Sequence, residues 1–265
     1  MEIITSLQNP KVKQTLKLWK RGERDETKRF LIEGFRELSR AVVGKVGIET
    51  LFVCRELFLG INEEALIQQL IKQGALPLYC SEIVFRKLSY RDRPDGLLAV
   101  GHQLHLTLDV LKPHANPFYV VAEGIEKPGN LGTILRSSDA AKVDGVIVCD
   151  RRTDIHNPNV VRASVGTLFT QPVAEAEGEE TFAWLKKQGI AILSASPAAS
   201  LEYTKADLTQ PVAIVVGTEQ YGLSKRWMEG ADFQVNIPML GVADSLNVAM
   251  ATTLLLYEVL RQRRG

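Results

Sequence analysis

The feature that most constrains the fold is a series of wholly apolar strand segments that alternate with helical segments in the second half of the chain. Runs such as VIVC at 146–149 and VAIVVG at 212–217 contain no polar side chain. A strand that is apolar on both faces must be buried on both faces, which is typical of a parallel sheet covered by helices on each side. The pattern therefore predicts a parallel-sheet α/β domain over residues 118–265.

The predicted elements of this domain follow one another closely. Strands are predicted at 118–125, 144–150, 171–176, 190–196, 212–217 and 233–238. Helices are predicted at about 130–142, 160–169 and 179–189, as a short stretch after 217, and from about Ser245 to Arg263.

The first 101 residues form another alternating series and predict a small α/β domain of their own. The first helix is predicted to begin at Asn9-Pro10, which have the residue types of an N-cap and a first turn, and to stop at Gly22. Further helices are predicted at 35–43, 62–74 and 81–88, and strands at 30–34, 48–54, 76–80 and 95–101. Residues 102–117 lose this pattern and contain two prolines and three of the four histidines, which indicates a linker.

Charge is balanced over the whole chain but not along it. There are 32 Lys and Arg against 31 Asp and Glu, so the net charge of +1 does not indicate an anionic partner. Residues 11–29 nevertheless carry eight basic and three acidic side chains, an excess that can contact phosphates. The candidates for this contact are Lys13, Lys17, Lys20 and Arg21. The alternative is the solvated face of an amphipathic helix.

Several classes of protein and site are excluded. The three cysteines are too few and too far apart for a disulfide framework or a zinc site, which favours reduced thiols and a cytoplasmic location. Neither a signal segment nor an apolar run long enough to span a bilayer is found, so no membrane anchor is expected. The histidines lack metal-ligand spacing, so no metal is expected. The motifs GxGxxG, GxxxxGKS or GxxxxGKT, HExxH and GxSxG are absent from the sequence.

Three segments with the chemistry of a binding site each follow a predicted strand of the second domain. The carboxyl ends of parallel strands are where ligands bind. The first segment, 123–140, has glycines around Asn130 at a strand-to-helix turn, which lets a ligand approach free backbone amides. Arg136 follows six residues later on another helix face, so Asn130 is expected on the loop or at the cap if both reach one site. The alternative makes Asn130 a simple N-cap and Arg136 a surface charge.

The second segment, 215–227, places Glu219 between Gly217 and Gly222 directly after a buried strand. Two glycines around an acid form a loop that can wrap a small ligand with backbone groups. The alternative is a tight turn with a glutamate that faces solvent.

The third segment, 236–258, begins the last helix after a loop. Asp244 or Ser245 is predicted as the N-cap of this helix. Asn247 would then lie in the first turn of an otherwise apolar helix. A polar group that is buried in this way needs a partner.

In this order and spacing the three segments resemble the three motifs of the SpoU family. This family is the TrmH-like branch of the SPOUT superfamily of S-adenosylmethionine-dependent RNA ribose 2′-O-methyltransferases. The first domain, with SLQNPKVK, FLIEGFREL and RPDGLLAV, resembles the substrate-binding domain of many members, which has a ribosomal-protein-like fold. The resemblance implies an RNA-binding domain at 1–101, a linker at 102–117 and a catalytic domain at 118–265.

The resemblance also implies a C-terminal trefoil knot, which is rare among protein folds, and a homodimer that forms through the knotted domain. The residues that match the catalytic polar set of the family are Asn130, Arg136, Glu219, Ser245 and Asn247. Contacts with S-adenosylmethionine are implied at Gly217, Glu219, Ile237, Pro238 and Leu246. The resemblance implies Arg136 as the base that takes the proton. Because a guanidinium has a very high pKa and resists losing its proton, Arg136 is instead expected to contact the RNA as a clamp on a phosphate and the 2′-hydroxyl, and the role as the base stays open.

The activity that the resemblance implies is methyl transfer to a ribose 2′-hydroxyl of RNA. Two-domain members mostly modify large-subunit ribosomal RNA, which favours 23S rRNA over tRNA as the substrate. The alternatives are a tRNA methyltransferase, a catalytically silent RNA-binding relative, and a small-molecule methyltransferase, which would need no basic first domain.

Overall fold

The computed structural model describes residues 3–104 and 106–264. Contacts divide the chain into two compact units, the first of Met1–His105 and Asp154–Thr170, and the second of Leu106–Thr153 and Gln171–Gly265. The strands are β1 (Ile3–Ile4), β2 (Arg29–Glu33), β3 (Ile48–Val53), β4 (Leu76–Cys80), β5 (Leu97–His102), β6 (Phe118–Glu123), β7 (Gly145–Cys149), β8 (Val173–Ala176), β9 (Ala191–Ala195), β10 (Leu201–Glu202), β11 (Val212–Val216) and β12 (Phe233–Asn236). The helices are α1 (Pro10–Lys17), α2 (Arg21–Thr27), α3 (Phe35–Val43), α4 (Glu63–Lys72), α5 (Glu82–Leu88), α6 (Pro128–Ala140), α7 (Pro158–Ala163), α8 (Gly178–Lys187), α9 (Lys225–Glu229) and α10 (Val248–Arg264).

The first unit is built on a five-stranded mixed sheet in the order β1-β4-β3-β5-β2. Strand β5 runs antiparallel to β2 and β3, whereas β1 and β3 run parallel to β4. Val12 of α1 and Phe85 of α5 pack against Phe52 in one apolar cluster. The predicted α/β character of this unit is confirmed. The sequence did not predict the two-residue edge strand β1.

The predicted stop of the first helix at Gly22 is wrong. Helix α1 ends at Lys17, and Gly22 is the second residue of α2. The physical reason is the buried guanidinium of Arg24, which donates to the carbonyl oxygens of Leu18 at 2.8 Å and Trp19 at 2.9 Å. These carbonyls are therefore satisfied outside a helix, and the chain turns between α1 and α2.

Residues 154–170 pack with the first unit, although their place in the sequence is among the strands of the second. Arg24 Nη2 lies 2.6 Å from Asp154 Oδ2, and both side chains are almost fully buried, at 2% and 3% exposed. The rings of His156 and Phe169 lie against Phe30, with centroids 4.8 and 5.9 Å away. The predicted helix over 160–169 is a short α7 followed by a 3₁₀ turn at Thr167–Phe169.

The second unit contains a seven-stranded sheet in the order β10-β12-β9-β11-β6-β7-β8, and all its strand pairs are parallel. The predicted parallel sheet is confirmed. Every residue of β6, β7 and β11 is buried, as their apolar sequences predict for all but Glu123 at the end of β6. Within the ranges that the structure describes, no helix is long and apolar enough to cross a membrane.

Candidate active site

The three segments predicted to form a site come together in the second unit. Asn247 Nδ2 donates a hydrogen bond to Asn130 Oδ1 at 3.1 Å. Asn130 Nδ2 in turn donates to Glu219 Oε1. One side chain from each segment therefore joins a single chain of hydrogen bonds at the carboxyl edge of the sheet.

Asn130 lies in the first turn of α6, so the loop or cap position that a site shared with Arg136 would require is not observed. The N-cap residue is Lys127, which has an extended backbone, and Pro128 occupies the first helical position. Proline is well suited to that position because it has no N–H to satisfy and its φ angle is already helical. The helix therefore starts before Asn130 and turns the Asn130 amide towards Glu219.

The N-cap of α10 is Asn247, so the prediction of Asp244 or Ser245 as the cap is wrong. Asn247 Oδ1 accepts from the backbone N–H of Ala249 at 3.0 Å. The helix begins at Val248 and not at Ser245. Asn247 uses its oxygen for the helix and its amide nitrogen for Asn130, which supplies the partner that the sequence could not identify.

Glu219 lies in a tight loop after β11. Thr218 and Gly222 close this loop with two backbone hydrogen bonds of 3.0 Å. Glu219 Oε2 lies 3.8 Å from Lys127 Nζ, and the glutamate side chain is 25% exposed. The sequence did not predict Lys127 as a site residue. The only feature that could have indicated it is its position directly before Pro128, at the start of α6.

A cleft of about 430 Å³ opens beside this network. Five of the predicted residues line it: Gly217, Glu219, Ile237, Ser245 and Leu246. Pro238 is not among the lining residues. A Cβ atom on Gly217 would lie 2.3 Å from the carbonyl oxygen of Gly222, so the loop can close over the cleft only with glycine there.

Arg136 stands apart from the cleft and the network. It lies on the exposed surface of α6 and does not line the cleft. Its side chain makes no hydrogen bond or ion pair with any other residue in 3–104 or 106–264. The structure thus brings together Asn130, Glu219 and Asn247, and leaves Arg136 free on the outer face of the same helix.

The lining of the cleft fits S-adenosylmethionine. Val216, Val235 and Val248 give it apolar walls suited to an adenine ring. Glu219 and Asp244 provide carboxylates that would favour a cationic ligand. Among the described residues, no three His, Cys, Asp or Glu side chains are grouped so that they could hold a metal ion.

The parallel sheet, the cleft at its carboxyl edge and the three joined segments define an α/β methyltransferase that uses S-adenosylmethionine. The chain belongs to the SpoU rRNA Methylase family, whose model matches residues 117–257. Residues 9–99 match the MRM3-like substrate binding domain. The family predicted from the three segments and from the first domain is confirmed.

Known proteins resemble the chain over nearly its whole length. The 23S rRNA (guanosine(2553)-2'-O)-methyltransferase RlmP of Bacillus subtilis is 28% identical, and the alignment covers 98% of this chain and 99% of that protein. The 23S rRNA (uridine(2479)-2'-O)-methyltransferase of Streptomyces viridochromogenes is 30% identical, with 93% and 87% covered. The crystal structure of an AdoMet-bound rRNA methyltransferase from Sinorhizobium meliloti superposes with a TM-score of 0.89 at 32% identity, covering 98% of this chain and 97% of that one. The chain is accordingly an enzyme that transfers a methyl group from S-adenosylmethionine to a ribose 2′-hydroxyl of RNA.

Proposed function

We propose that this enzyme methylates a ribose 2′-hydroxyl of 23S rRNA in the cytoplasm. The observation that carries the proposal is the hydrogen-bonded chain from Asn247 through Asn130 to Glu219 at the rim of the cleft. Two relatives support the choice of substrate, because one acts on a guanosine and the other on a uridine of 23S rRNA. Since those two nucleotides differ, we propose 23S rRNA as the substrate without assigning the nucleotide that is methylated. Transfer RNA is the alternative substrate.

When bound, S-adenosylmethionine supplies an electrophilic methyl group. We assign its binding to Gly217, Ile237 and Leu246, with Glu219 at the rim, all of which line the cleft. Pro238 does not line the cleft and is assigned no contact. Asn130 orients the ribose, and Ser245 and Asn247 line the place where the hydroxyl and the methyl group meet. Holding reactants in line supplies about 7 to 11 kcal/mol in well-oriented reactions.

We assign to Arg136 the role of a clamp on the RNA. A guanidinium stays protonated and presents two parallel N–H donors, which match a phosphate or a phosphate and a hydroxyl. Because its side chain has no partner among the described residues, it is available to RNA. The clamp would hold the 2′-hydroxyl in position for methyl transfer.

We further propose that the enzyme is a homodimer and that the segment after β11 forms a trefoil knot. Arg136 does not line the cleft of its own chain, so a second copy is needed if Arg136 and the cofactor are to meet. In addition, α10 exposes the apolar side chains of Met250, Leu254 and Tyr257. These observations support a dimer through the second unit.

We propose the domain roles that the sequence predicts: RNA binding by 1–101, a linker at 102–117 and catalysis by 118–265. On the first unit, the four basic residues predicted to contact RNA are all exposed: Lys13, Lys17, Lys20 and Arg21. Two of the four pair with acids, Lys17 with Glu23 at 4.0 Å and Arg21 with Asp25 at 3.4 Å. Exposed pairs of this kind are weak and exchange readily for phosphate.

The test is methyl transfer from radiolabelled S-adenosylmethionine by the full chain to 23S rRNA and, separately, to total tRNA. We expect label in 23S rRNA, at one nucleotide that resists alkaline cleavage because its 2′-oxygen is blocked. The Arg136→Ala variant, which removes the proposed RNA clamp, is the control for a contaminating enzyme. Label in tRNA alone would replace the proposed substrate, and label in neither would contradict the proposal.

A further inference from the structure

The first unit contains a second cleft, of about 520 Å³, that the active site does not use. Exposed guanidinium groups of Arg36 and Arg162 line it, and Arg162 and Arg91 continue into a neighbouring hollow with Arg93. We call Arg36, Arg91, Arg93 and Arg162 with the cavity they surround the arginine cleft. Among the described residues, Arg36, Arg93 and Arg162 have no carboxylate partner.

Buried carboxylates form the floor of the arginine cleft. Glu37, Glu63 and Asp95 line it and are only 3%, 4% and 7% exposed. In each, one oxygen is held internally, by Arg91 Nη2 at 2.6 Å, by the Gly60 N–H at 2.7 Å and by the Phe35 N–H at 2.8 Å, respectively. The second oxygen of each has no hydrogen-bond partner among the described residues. Buried acceptors without donors are costly, so a ligand with N–H groups would be favoured here.

The rim of the arginine cleft carries exposed apolar side chains. Leu59 is 78% exposed and Ile61 is 94% exposed, on the loop that precedes α4. Large apolar side chains at this level of exposure beside a cleft often mark an interaction site. They offer a surface on which a flat ring can lie.

A nucleotide has the chemical groups that complement this lining. Its phosphate complements the exposed guanidinium groups, which are well suited to phosphate geometry. Its base has a flat face for Leu59 and Ile61 and N–H groups for carboxylate acceptors. RNA readers take unpaired bases in this way, because the edges of paired bases are not accessible.

We propose that the arginine cleft binds an unpaired nucleotide of the RNA substrate, with its phosphate on the arginines and the N–H groups of its base towards the buried carboxylates. The inference rests on the proposed function, since it takes the RNA to be the substrate of the same chain. It assigns the selection of the RNA to a site in the first unit. Bases with an exocyclic amino group are preferred over uracil, which has none.

The first test measures binding of the full chain to 23S rRNA transcribed in vitro, by filter binding over a series of KCl concentrations. The variant carries Arg36→Ala, Arg93→Ala and Arg162→Ala. The matched control carries Arg55→Ala, Lys72→Ala and Arg86→Ala, which remove the same charge from exposed positions elsewhere on the first unit. We expect the cleft variant to flatten the plot of log affinity against log salt by about 0.7 for each phosphate that the arginines no longer neutralise, and the control to leave it unchanged.

The second test concerns the rim. Leu59→Ser with Ile61→Ser should weaken binding at every salt concentration without changing the slope, because no charge is removed. The control pair is Val43→Ser with Ile83→Ser, both 71% exposed on the same unit. Circular dichroism and cofactor calorimetry establish that each variant is folded. Equal slopes for the cleft variant and the control, or equal affinities for the two apolar pairs, would overturn the inference.

The third test concerns the base. The probes are single-stranded oligoribonucleotides of cytidine or of uridine, for which we expect tighter binding of cytidine. Glu63→Gln keeps the side-chain shape but replaces an acceptor by a donor, so it should reduce this preference. Glu64→Gln, next to it on α4 and ion-paired with Arg55 at 3.1 Å, is the control. The same preference in wild type and Glu63→Gln would contradict the orientation of the base.

These readouts separate two kinds of failure. Binding slopes and base preference do not require methyl transfer, so they remain interpretable if the enzyme methylates a different RNA. If wild type methylates 23S rRNA and the cleft variants bind it as well as the controls do, the arginine cleft is excluded and the proposed function stands. If wild type methylates no 23S rRNA, the proposed function fails first.

Discussion

At the scale of single residues, the direction of the hydrogen bonds in the active site follows from chemistry alone. An ionised Glu219 can only accept, so Asn130 must present its NH₂ group to it. The oxygen of Asn130 then faces Asn247, which must donate in turn. Asn247 is left with its oxygen towards the N-terminus of α10, where it accepts from Ala249 N–H at 3.0 Å. The carboxylate therefore fixes the orientation of two amides and of a helix cap.

Replacing Glu219 by glutamine tests this dependence. Glutamine can present either an oxygen or an NH₂ group to Asn130, so the amides lose their single orientation. Hydrogen bonds to a charged group contribute about 1.5 to 3 kcal/mol, and we expect the single-turnover rate to fall between about 10-fold and about 100-fold. Asn130→Asp should lose more, because it sets two carboxylates side by side. Glu229→Gln, at an exposed ion pair with Lys225, is the control, and an unchanged rate in Glu219→Gln would remove the network from the mechanism.

Arg136 gives a separate prediction because it lies outside the network. Arg136→Lys and Arg136→Ala should each lose at least about 100-fold in single-turnover methylation with saturating RNA, while cofactor binding is retained. The reason is that lysine keeps the charge but not the planar pair of donors. Asn130→Ala should lose less. A lysine variant within a few-fold of wild type would refute the clamp, and an alanine variant with the wild-type rate would remove Arg136 from the site.

At the scale of secondary-structure elements, the sequence predicts what depends on local chemistry and periodicity. The predicted helix at 35–43 and strand at 76–80 agree with α3 and β4 to the residue. The two-residue strands β1 and β10 were missed because only pairing with β4 and β12, distant in sequence, makes them strands. Local pattern alone cannot supply such information.

The start of α10 shows why the sequence could predict which residues form the candidate site but not which hydrogen bonds they make. The sequence DSLN offers three residues that can cap a helix: Asp244, Ser245 and Asn247. Their intrinsic preferences are similar. The hydrogen bond between Asn247 and Asn130, 117 residues away, distinguishes them, and it exists only in the folded chain.

The loop after β11 gives a prediction at this scale. Gly217→Ala places a Cβ atom 2.3 Å from Gly222 O and 2.7 Å from Leu223 N, both backbone atoms that cannot move aside alone. The loop must open, and we expect the affinity for S-adenosylmethionine in calorimetry to fall by at least about 10-fold, as a 1.4 kcal/mol loss would give. Gly241→Ala, where no atom lies within 4 Å of the added carbon, is the control. Wild-type affinity in Gly217→Ala would show that this loop does not hold the cofactor.

At the scale of the whole chain, a charge pair joins segments 130 residues apart. Arg24 and Asp154 are both buried, and Arg24 Nε donates to Asp154 Oδ2 at 2.8 Å. By sequence Arg24 belongs to the basic stretch at 11–29, yet its guanidinium is not available to RNA. Its role is to hold residues 154–170 against the rest of the first unit.

Arg24→Ala should therefore destabilise the fold, independently of any RNA. Removing one partner leaves Asp154 buried and uncompensated, which costs about 3 to 5 kcal/mol in comparable cases. The measurement is urea unfolding followed by circular dichroism. Arg29→Ala, which breaks an exposed pair with Glu49, is the control and should cost no more than about 1 kcal/mol. Equal midpoints for the two variants would mean that the buried pair does not hold the segment.

The proposed homodimer is an assembly larger than a single chain. Met250, Leu254 and Tyr257 are spaced four and three residues apart, so they lie on one face of α10, and they are 62%, 42% and 51% exposed. An obligate interface buries about 2,000 Å² or more and is rich in such side chains. Light scattering should return twice the chain mass at micromolar concentration, and Leu254→Glu with Tyr257→Glu should reduce the measured mass to that of one chain.

The monomeric variant should also lose methylation while it keeps its fold, because Arg136 does not line the cleft of its own chain. The control is Ile83→Glu, at an exposed apolar position of the first unit, which should change neither the mass nor the methylation. A wild-type protein with the mass of one chain, or a monomeric variant with full activity, would contradict a site shared between two copies.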